Sequence, residues 1–144
     1  MSELCFRVYG IARPQGSKRL LQKRGRNPGR ARMVEASTGL RPWRSTVARA
    51  ALQQVQAKKW RLRTGPVAVR LEFTKRLPQK PKYQHPADVP DIDKLTRAVL
   101  DALTGVVYKD DALVVTLSAT KRYGVPGVFV TVQDDVGTVR DSDA

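Results

Sequence analysis

The chain of 144 residues carries 27 lysines and arginines against 13 acids, which gives a formal net charge of +14. The length fits one domain with a real core, and an apolar share of 41% is somewhat low but excludes a disordered chain. No stretch approaches the ~20 apolar residues that a membrane span needs. A single cysteine excludes an internal disulfide framework, and the N-terminus lacks a secretory pattern, so we expect a cytoplasmic protein.

The charge is unevenly distributed. Residues 1–65 hold sixteen of the basic residues and only two acids, whereas residues 66–144 hold eleven of each sign. A large positive excess of this kind is usually retained for a polyanionic partner, although a solvated basic coat without a ligand remains the alternative. We predict one domain over 1–133 and an acidic, mobile tail over 134–144.

The first predicted element is a half-buried strand, "LCFRVYG", in which Leu4, Phe6 and Val8 share one face. We interpret Cys5 as a buried small hydrophobe. A basic segment rich in Gly and Pro follows; its "GRNPGR" centre indicates a turn, and "ARMVEAS" can return as a short strand. The sequence therefore predicts a projecting basic loop or ribbon.

A helix is predicted next, over "PWRSTVARAALQQVQAKKW", with Pro42 at its first position and Gly65 as a stop signal. Its apolar stripe consists of Val47, Ala50, Ala51 and Val55. Trp43 and Trp60 flank this helix, and packing in the core is the favoured role for both. The following "PVAVRLEFTK" is the clearest strand, with Val67, Val69, Leu71 and Phe73 on one face.

A proline-rich connector leads to a second helix, predicted from Asp93, or just before it, to Leu103. The lone His85 of the connector has no ligand-like neighbours, and we assign it no direct chemistry. Two strands, "ALVVTLSATK" and "GVFVTVQ", follow, and "RYGVPG" between them predicts a hairpin. The predicted fold class is α+β: a small mixed β-sheet covered by two α-helices.

Three aspartates in "PDIDKLTRAVLDAL" raise the question of a metal site. Residues two apart on a helix point away from each other, but in extended backbone they share a face, so Asp91 can converge with Asp93 at the helix start. Converging carboxylates need a cation between them, and Asp110 and Asp111 follow at the mouth of a strand. Helix capping explains one aspartate equally well, so the spacing leaves a capping role and a Mg²⁺ or Mn²⁺ site open.

The segment "PDIDKLTRAVLDALTGVVYKDDALVVTLSATKRYG" resembles the RusA-type Holliday junction resolvases, whose pattern runs P-D-x-D-N-x-x-K, D-A-L-x-G, D-D and a strand ending in Lys. "YGIARPQGSKR" is similar to the Pro-Lys-Gly-Arg region of phage-borne members. The resemblance covers residues 3–133 and implies an α+β homodimer that cuts four-way DNA junctions with Mg²⁺ in a bacterial or phage-infected cell. The implied metal ligands are Asp91, Asp93 and Asp111, with Asp110 in support; Asp101 is expected to be structural.

Two positions depart from that family pattern. Lys94 stands where Asn is common, and Arg97 stands where a catalytic lysine is expected. Arg97 lies one helical turn beyond Asp93, so its guanidinium can reach a phosphate or orient a carboxylate. A guanidinium stays charged and cannot donate a proton, which makes its expected role electrostatic.

The resulting hypothesis is Mg²⁺-dependent phosphodiester hydrolysis, with Asp91, Asp93, Asp111 and Arg97 as the catalytic set. Phosphate contacts are expected from basic side chains: Arg13, Lys18, Arg19, Lys23, Arg24, Arg26 and Lys94. A non-catalytic DNA- or RNA-binding protein, in which the acids only cap and solubilise, is the alternative.

Overall fold

The computed structural model describes residues 3–16, 19–22, 31–34 and 39–135. Its elements follow in the order β1 (Glu3–Tyr9), β2 (Arg19–Gln22), β3 (Ala31–Val34), α1 (Leu40–Lys58), β4 (Val67–Lys75), α2 (Ile92–Leu103), a 3₁₀ turn (Asp111–Leu113), β5 (Val114–Tyr123) and β6 (Gly127–Asp134). Four strands form a mixed sheet in the order β1-β6-β4-β5, and β2 pairs with β3 in a separate two-stranded sheet. The predicted α+β class and the short return strand are confirmed.

The sheet is mixed because of one crossover. β6 runs antiparallel to both β1 and β4, while β4 and β5 are parallel. Parallel neighbours need a long connection, which the chain provides through α2. It follows that β1, β4 and β5 all run in one direction, so their carboxyl ends lie on the same side of the sheet.

The hairpin predicted at "RYGVPG" is wrong, because β4 lies between β5 and β6. The link crosses the end of β4, where the Gly124 N–H donates to the Lys75 carbonyl at 2.9 Å. Two strand spacings amount to about 10 Å, which the few residues from Tyr123 to Gly127 can span when extended. Alternation of apolar residues fixes the face of a strand and leaves its partner undetermined.

One face of the sheet forms the core beneath α1 and α2. The four β4 residues predicted to share a face are buried, as are Leu4, Phe6 and Val8 of β1. Every second residue of β6, from Val128 to Val132, joins them. Cys5 belongs to the opposite, polar face: it is half-buried, and its Sγ donates to Glu3 Oε1 at 2.9 Å, so its prediction as a buried hydrophobe is wrong.

The ends of α1 differ from the expected ones. The helix begins at Leu40 after Gly39, whose φ is 80°, so Pro42 is its third residue. It ends at Lys58, and Lys59 takes the left-handed conformation there without a glycine. The stop predicted at Gly65 is therefore wrong, because backbone bonds from Lys59 and Trp60 to the last helical carbonyls already close the helix.

Both tryptophans pack in the core as predicted, each with 4% of its surface exposed. The close pairing of β1 with β6 depends on a glycine: a Cβ at Gly127 would lie 2.2 Å from the Val8 carbonyl oxygen. β6 continues to Asp134, one residue into the predicted tail, and the Asp135 N–H donates to the Pro66 carbonyl at 3.0 Å. Within the described ranges, no helix is long and apolar enough to cross a membrane.

Candidate functional site

A groove of about 510 Å³ lies between α2 and β5. Asp93, Arg97 and Asp101 are spaced by four residues along α2, so they occupy one face of the helix. The 3₁₀ turn adds Asp111 on the other side of the groove. The full lining is Ile92, Asp93, Thr96, Arg97, Leu100, Asp101, Asp111, Leu117 and Ala119.

The start of α2 determines where the first two aspartates lie. Asp91 is the residue before the helix, in extended conformation, and Asp93 lies in the first turn, which confirms the predicted start. The Asp91 side chain makes no capping hydrogen bond; it forms an ion pair with Lys94, with 3.4 Å between Oδ2 and Nζ. Asp91 does not line the groove. Asp93 accepts a hydrogen bond from the Lys94 N–H at 2.9 Å and does line it.

Asp110 and Asp111 have different roles although they are adjacent. Asp110 caps the 3₁₀ turn, since its Oδ1 accepts from the Ala112 N–H at 3.0 Å, and this bond holds the pKa of Asp110 below its usual range. Desolvation, followed by the neighbouring Asp110 carboxylate and the more distant Asp101, raises the pKa of Asp111. Asp111 therefore sits in a field of like charge, the condition in which a bound cation is favourable.

Asp101 is a groove residue that the sequence reasoning treated as structural. Its Oδ2 accepts a hydrogen bond from Gln15 Nε2, and Gln15 Oε1 accepts from Arg44 Nη1 at 2.9 Å. The Gln15 N–H also donates to the Lys94 carbonyl at 2.9 Å. Gln15 thus ties the segment after β1 to both helices. The helical spacing from Asp93 was the available signal for Asp101; nothing in the sequence marked Gln15.

The segment that carries Asp110 and Asp111 is anchored from the end of α1. Trp60 Nε1 donates to the Val107 carbonyl at 3.0 Å, and the Arg63 N–H donates to the same oxygen at 3.1 Å. In the opposite direction, the Lys109 N–H donates to the Arg63 carbonyl at 2.9 Å. Tyr108 is fully buried, which raises its pKa, and its hydroxyl donates to the Leu100 carbonyl at 2.8 Å. These contacts fix the 3₁₀ turn against α2.

Two lysines hold the connector immediately before Asp91, and we call Lys75 and Lys121 the lysine latch. Lys75 Nζ lies 3.0 and 3.1 Å from the two Asp88 oxygens and 3.0 Å from the Val89 carbonyl. Lys121 Nζ donates to the Asp88 carbonyl at 2.6 Å and to the Pro90 carbonyl at 3.0 Å. The hydrogen bond to Lys75 is the main reason that the pKa of Asp88 lies below its usual range. The sequence reasoning missed this latch.

The structure brings together only part of the predicted site. Asp93, Asp111 and Arg97 share the groove, whereas Asp91 and Asp110 are engaged elsewhere. Among the described residues, no three His, Cys, Asp or Glu side chains are grouped closely enough to hold a metal ion.

The predicted phosphate-binding residues are only partly covered by the structure. Arg13 lines a second cavity, near Lys75 and Lys121 of the latch, and Lys94 is exposed. Arg19 begins β2. The remaining predicted residues, Lys18, Lys23, Arg24 and Arg26, lie outside the described residues.

Comparison with known proteins gives two matches. A family model described as endodeoxyribonuclease RusA matches residues 12–133, which is most of the chain and includes every groove residue. The chain is also 29% identical, over 146 aligned positions, to the uncharacterized protein YqaN of Bacillus subtilis (strain 168). That alignment covers 90% of this chain and 94% of the relative.

Proposed function

Because the chain belongs to the RusA endodeoxyribonuclease family, whose members act on branched DNA junctions, we propose that it resolves four-way (Holliday) junctions by hydrolysing phosphodiester bonds. The observation that carries this proposal is the groove, where Asp93 and Arg97 of α2 lie across from Asp111 of the 3₁₀ turn. Carboxylates beside a guanidinium match the needs of a phosphodiester in hydrolysis: oxygen ligands for a cation, and positive charge for the phosphate.

The donor set of the groove fits a hard divalent cation, Mg²⁺ or Mn²⁺. The candidate ligands are carboxylate oxygens, and the pKa of Asp111 is raised first by desolvation and then by the neighbouring carboxylates, whose repulsion a cation would relieve. Asp93 and Asp111 would hold the ion, with Asp91 as the third ligand and Asp110 in support. When bound, such an ion supplies Lewis-acid activation of water and neutralises charge on the phosphate.

Asp91 must leave Lys94 before it can join the other ligands. The ion pair between them is a single contact of 3.4 Å, and both side chains are about half exposed. Exposed pairs of this kind contribute about 0–1 kcal/mol. Breaking it costs little compared with the charge–charge attraction that a divalent cation offers, so Lys94 becomes free to contact a DNA phosphate.

Arg97 supplies fixed positive charge next to the carboxylates. It lies in the groove and has no ion pair with any described residue. Its planar guanidinium can give two parallel hydrogen bonds to a phosphate, where lysine gives a point charge. We infer that Arg97 replaces the lysine of the family pattern by stabilising the charge that develops at phosphorus.

Junction binding would rest on Arg13 and the segment from Lys18 to Arg26 in the basic half of the chain, and on Lys94 in the first turn of α2. Resolution requires two nicks in opposed strands, and the described residues of each chain form one groove of this kind. We therefore propose a two-fold symmetric homodimer in recombination and repair of DNA, as the commonest assembly that provides two sites.

The deciding experiment is a nicking assay on a synthetic four-way junction with Mg²⁺, Mn²⁺ or chelator present. We expect metal-dependent cutting that Asp93→Asn and Asp111→Asn abolish while junction binding persists. Glu72→Gln is the matched control, since Glu72 lies on β4 outside the groove and pairs with Arg70. Binding without any cutting by the unaltered protein would favour a non-catalytic DNA-binding role; cutting by Asp93→Asn at the unaltered rate would refute the site.

A further inference from the structure

A second cavity of about 380 Å³ opens at the edge of the sheet where β1, β4 and β5 end. The carboxyl ends of parallel strands are a recurrent place for ligand binding in sheets that carry helices. Its volume lies within the range of small-molecule sites. Because five basic residues line it and no acid does, we call it the cationic cavity; they are Arg13, Lys75, Arg76, Lys121 and Arg122.

The five cations are not equivalent. The ammonium groups of Lys75 and Lys121 are already hydrogen-bonded to the connector, as members of the lysine latch. Arg76 and Arg122 are exposed and make no hydrogen bond or ion pair with any described residue. Two arginines at one rim are therefore available for an anionic group of a ligand.

The wall of the cavity is apolar. Phe73 and Leu95, both buried in the core, reach its floor, and Ile11 stands at the lip with 63% of its surface exposed. Pro14, Pro90 and Pro126 complete the apolar lining. A bare inorganic anion gains nothing from such a wall. A nucleotide can contact both parts of the cavity: its base packs against the apolar wall, and its phosphate forms ion pairs with the arginines at the rim.

The cationic cavity adjoins the groove through the first turn of α2. Pro90 and Leu95 line the cavity, whereas Ile92 and Asp93, between them in sequence, line the groove. A strand of DNA crossing this turn can thus place a phosphate in the groove and a neighbouring nucleotide in the cavity. A paired base cannot enter a cavity of this size with its partner, so the nucleotide must be unpaired.

We propose that the cationic cavity binds one unpaired nucleotide of the branched DNA next to the scissile phosphate, an inference that rests on the proposed function. It gives the protein a means of choosing branch points over duplex, because only distorted DNA offers an unpaired base at low cost. Arg76 and Arg122 hold the phosphate, and Ile11 contacts the base.

The test compares two four-way junctions with Ca²⁺ in place of Mg²⁺: one intact, and one whose branch-point nucleotides are abasic but keep every phosphate. We expect the unaltered protein to bind the intact junction about fivefold or more tightly, the scale of burying part of one base against apolar side chains. Ile11→Ser should bind both equally. Arg76→Ala with Arg122→Ala should weaken both and make the salt dependence shallower by about two contacts. Lys58→Ala with Arg61→Ala, the same charge removed before β4, is the control and should keep the discrimination.

Equal binding of both junctions by the unaltered protein, or full discrimination in Ile11→Ser, would overturn the inference. The Ile11 comparison also controls for any change that abasic sites make in the junction itself, since such a change would persist in the variant. Binding is measured without cleavage, so the two proposals fail separately: discrimination without cutting in Mg²⁺ refutes the nuclease, and cutting without discrimination refutes the cavity. No binding to either junction would refute both.

Discussion

Replacing Lys121 by methionine tests whether the lysine latch positions the active site. The substitution keeps most of the side-chain volume and removes two charged hydrogen bonds, of 2.6 Å to the Asp88 carbonyl and 3.0 Å to the Pro90 carbonyl. Charged hydrogen bonds contribute about 1.5–3 kcal/mol each when buried. Lys121 is half-buried, so solvent reduces the sum to about 1–2 kcal/mol. Asp91 follows Pro90 directly, so the position of its backbone depends on these two hydrogen bonds.

A loss of 1–2 kcal/mol changes a local equilibrium by a factor of about 5–30. We therefore expect the single-turnover cleavage rate of Lys121→Met, measured with the protein in saturating excess over the junction, to fall by about that factor. Lys121→Arg should recover part of the rate. Lys82→Met, an exposed lysine of the same connector, is the matched control. Urea unfolding measured in parallel gives the stability change; a loss of stability with an unchanged cleavage rate would refute the positioning role.

Four further outcomes are expected. Arg97→Ala should lower the cleavage rate by about 10²-fold, the scale of one lost transition-state donor, and Arg97→Lys should retain much of it; equal rates for Arg97→Ala and the unaltered protein would remove Arg97 from the site. Tyr108→Phe should cost about 0.5–1.5 kcal/mol in urea unfolding, since the hydroxyl bond to Leu100 is lost while that carbonyl keeps another donor; no change would show that the bond is not formed. Lys75 lowers the folded-state pKa of Asp88, so the ion pair stabilises the fold at pH values above the ordinary carboxyl pKa of 3.8, and this stabilisation is lost as the pH falls further. Asp88→Asn should therefore have a lower free energy of unfolding than the unaltered protein at pH 7, and the difference should shrink in acid. A difference that stays constant with pH would contradict this. Sedimentation with junction DNA should give a dimer; a monomer would count against paired cutting.

The sequence predicted the features that depend on local periodicity. Alternation gave the buried faces of β1 and β4, and Pro90 with the following aspartates gave the start of α2, where the structure has Asp91 extended and Asp93 in the first turn. Both signals act over a few residues, where backbone preference and burial agree.

The features that escaped prediction join distant parts of the chain. The pairing of β6 with β4 instead of β5 depends on how the strands pack, which no local pattern records. Gln15 escaped prediction because its contact with Asp101 spans 86 positions, whereas the spacing of Asp101 from Asp93 was a local signal that the sequence already contained. The latch from Lys121 to Asp88 spans 33 positions, so the family pattern of a strand ending in lysine indicated the residue but not its partner.

The interior position of β6 has a consequence for the order in which the molecule can form. A ribosome releases this strand after the other five, yet β1 has no other partner in the four-stranded sheet. The side chains of Glu3 and Gln133, at the far end of that pairing, meet across 130 positions at 2.7 Å. Contacts of such long sequence separation form slowly, because the intervening loop must be closed first. A nascent chain that stops before Gly127 therefore leaves β1 without a neighbour, and the sheet beneath α1 and α2 is completed only when the strand from Gly127 to Asp134 has been inserted.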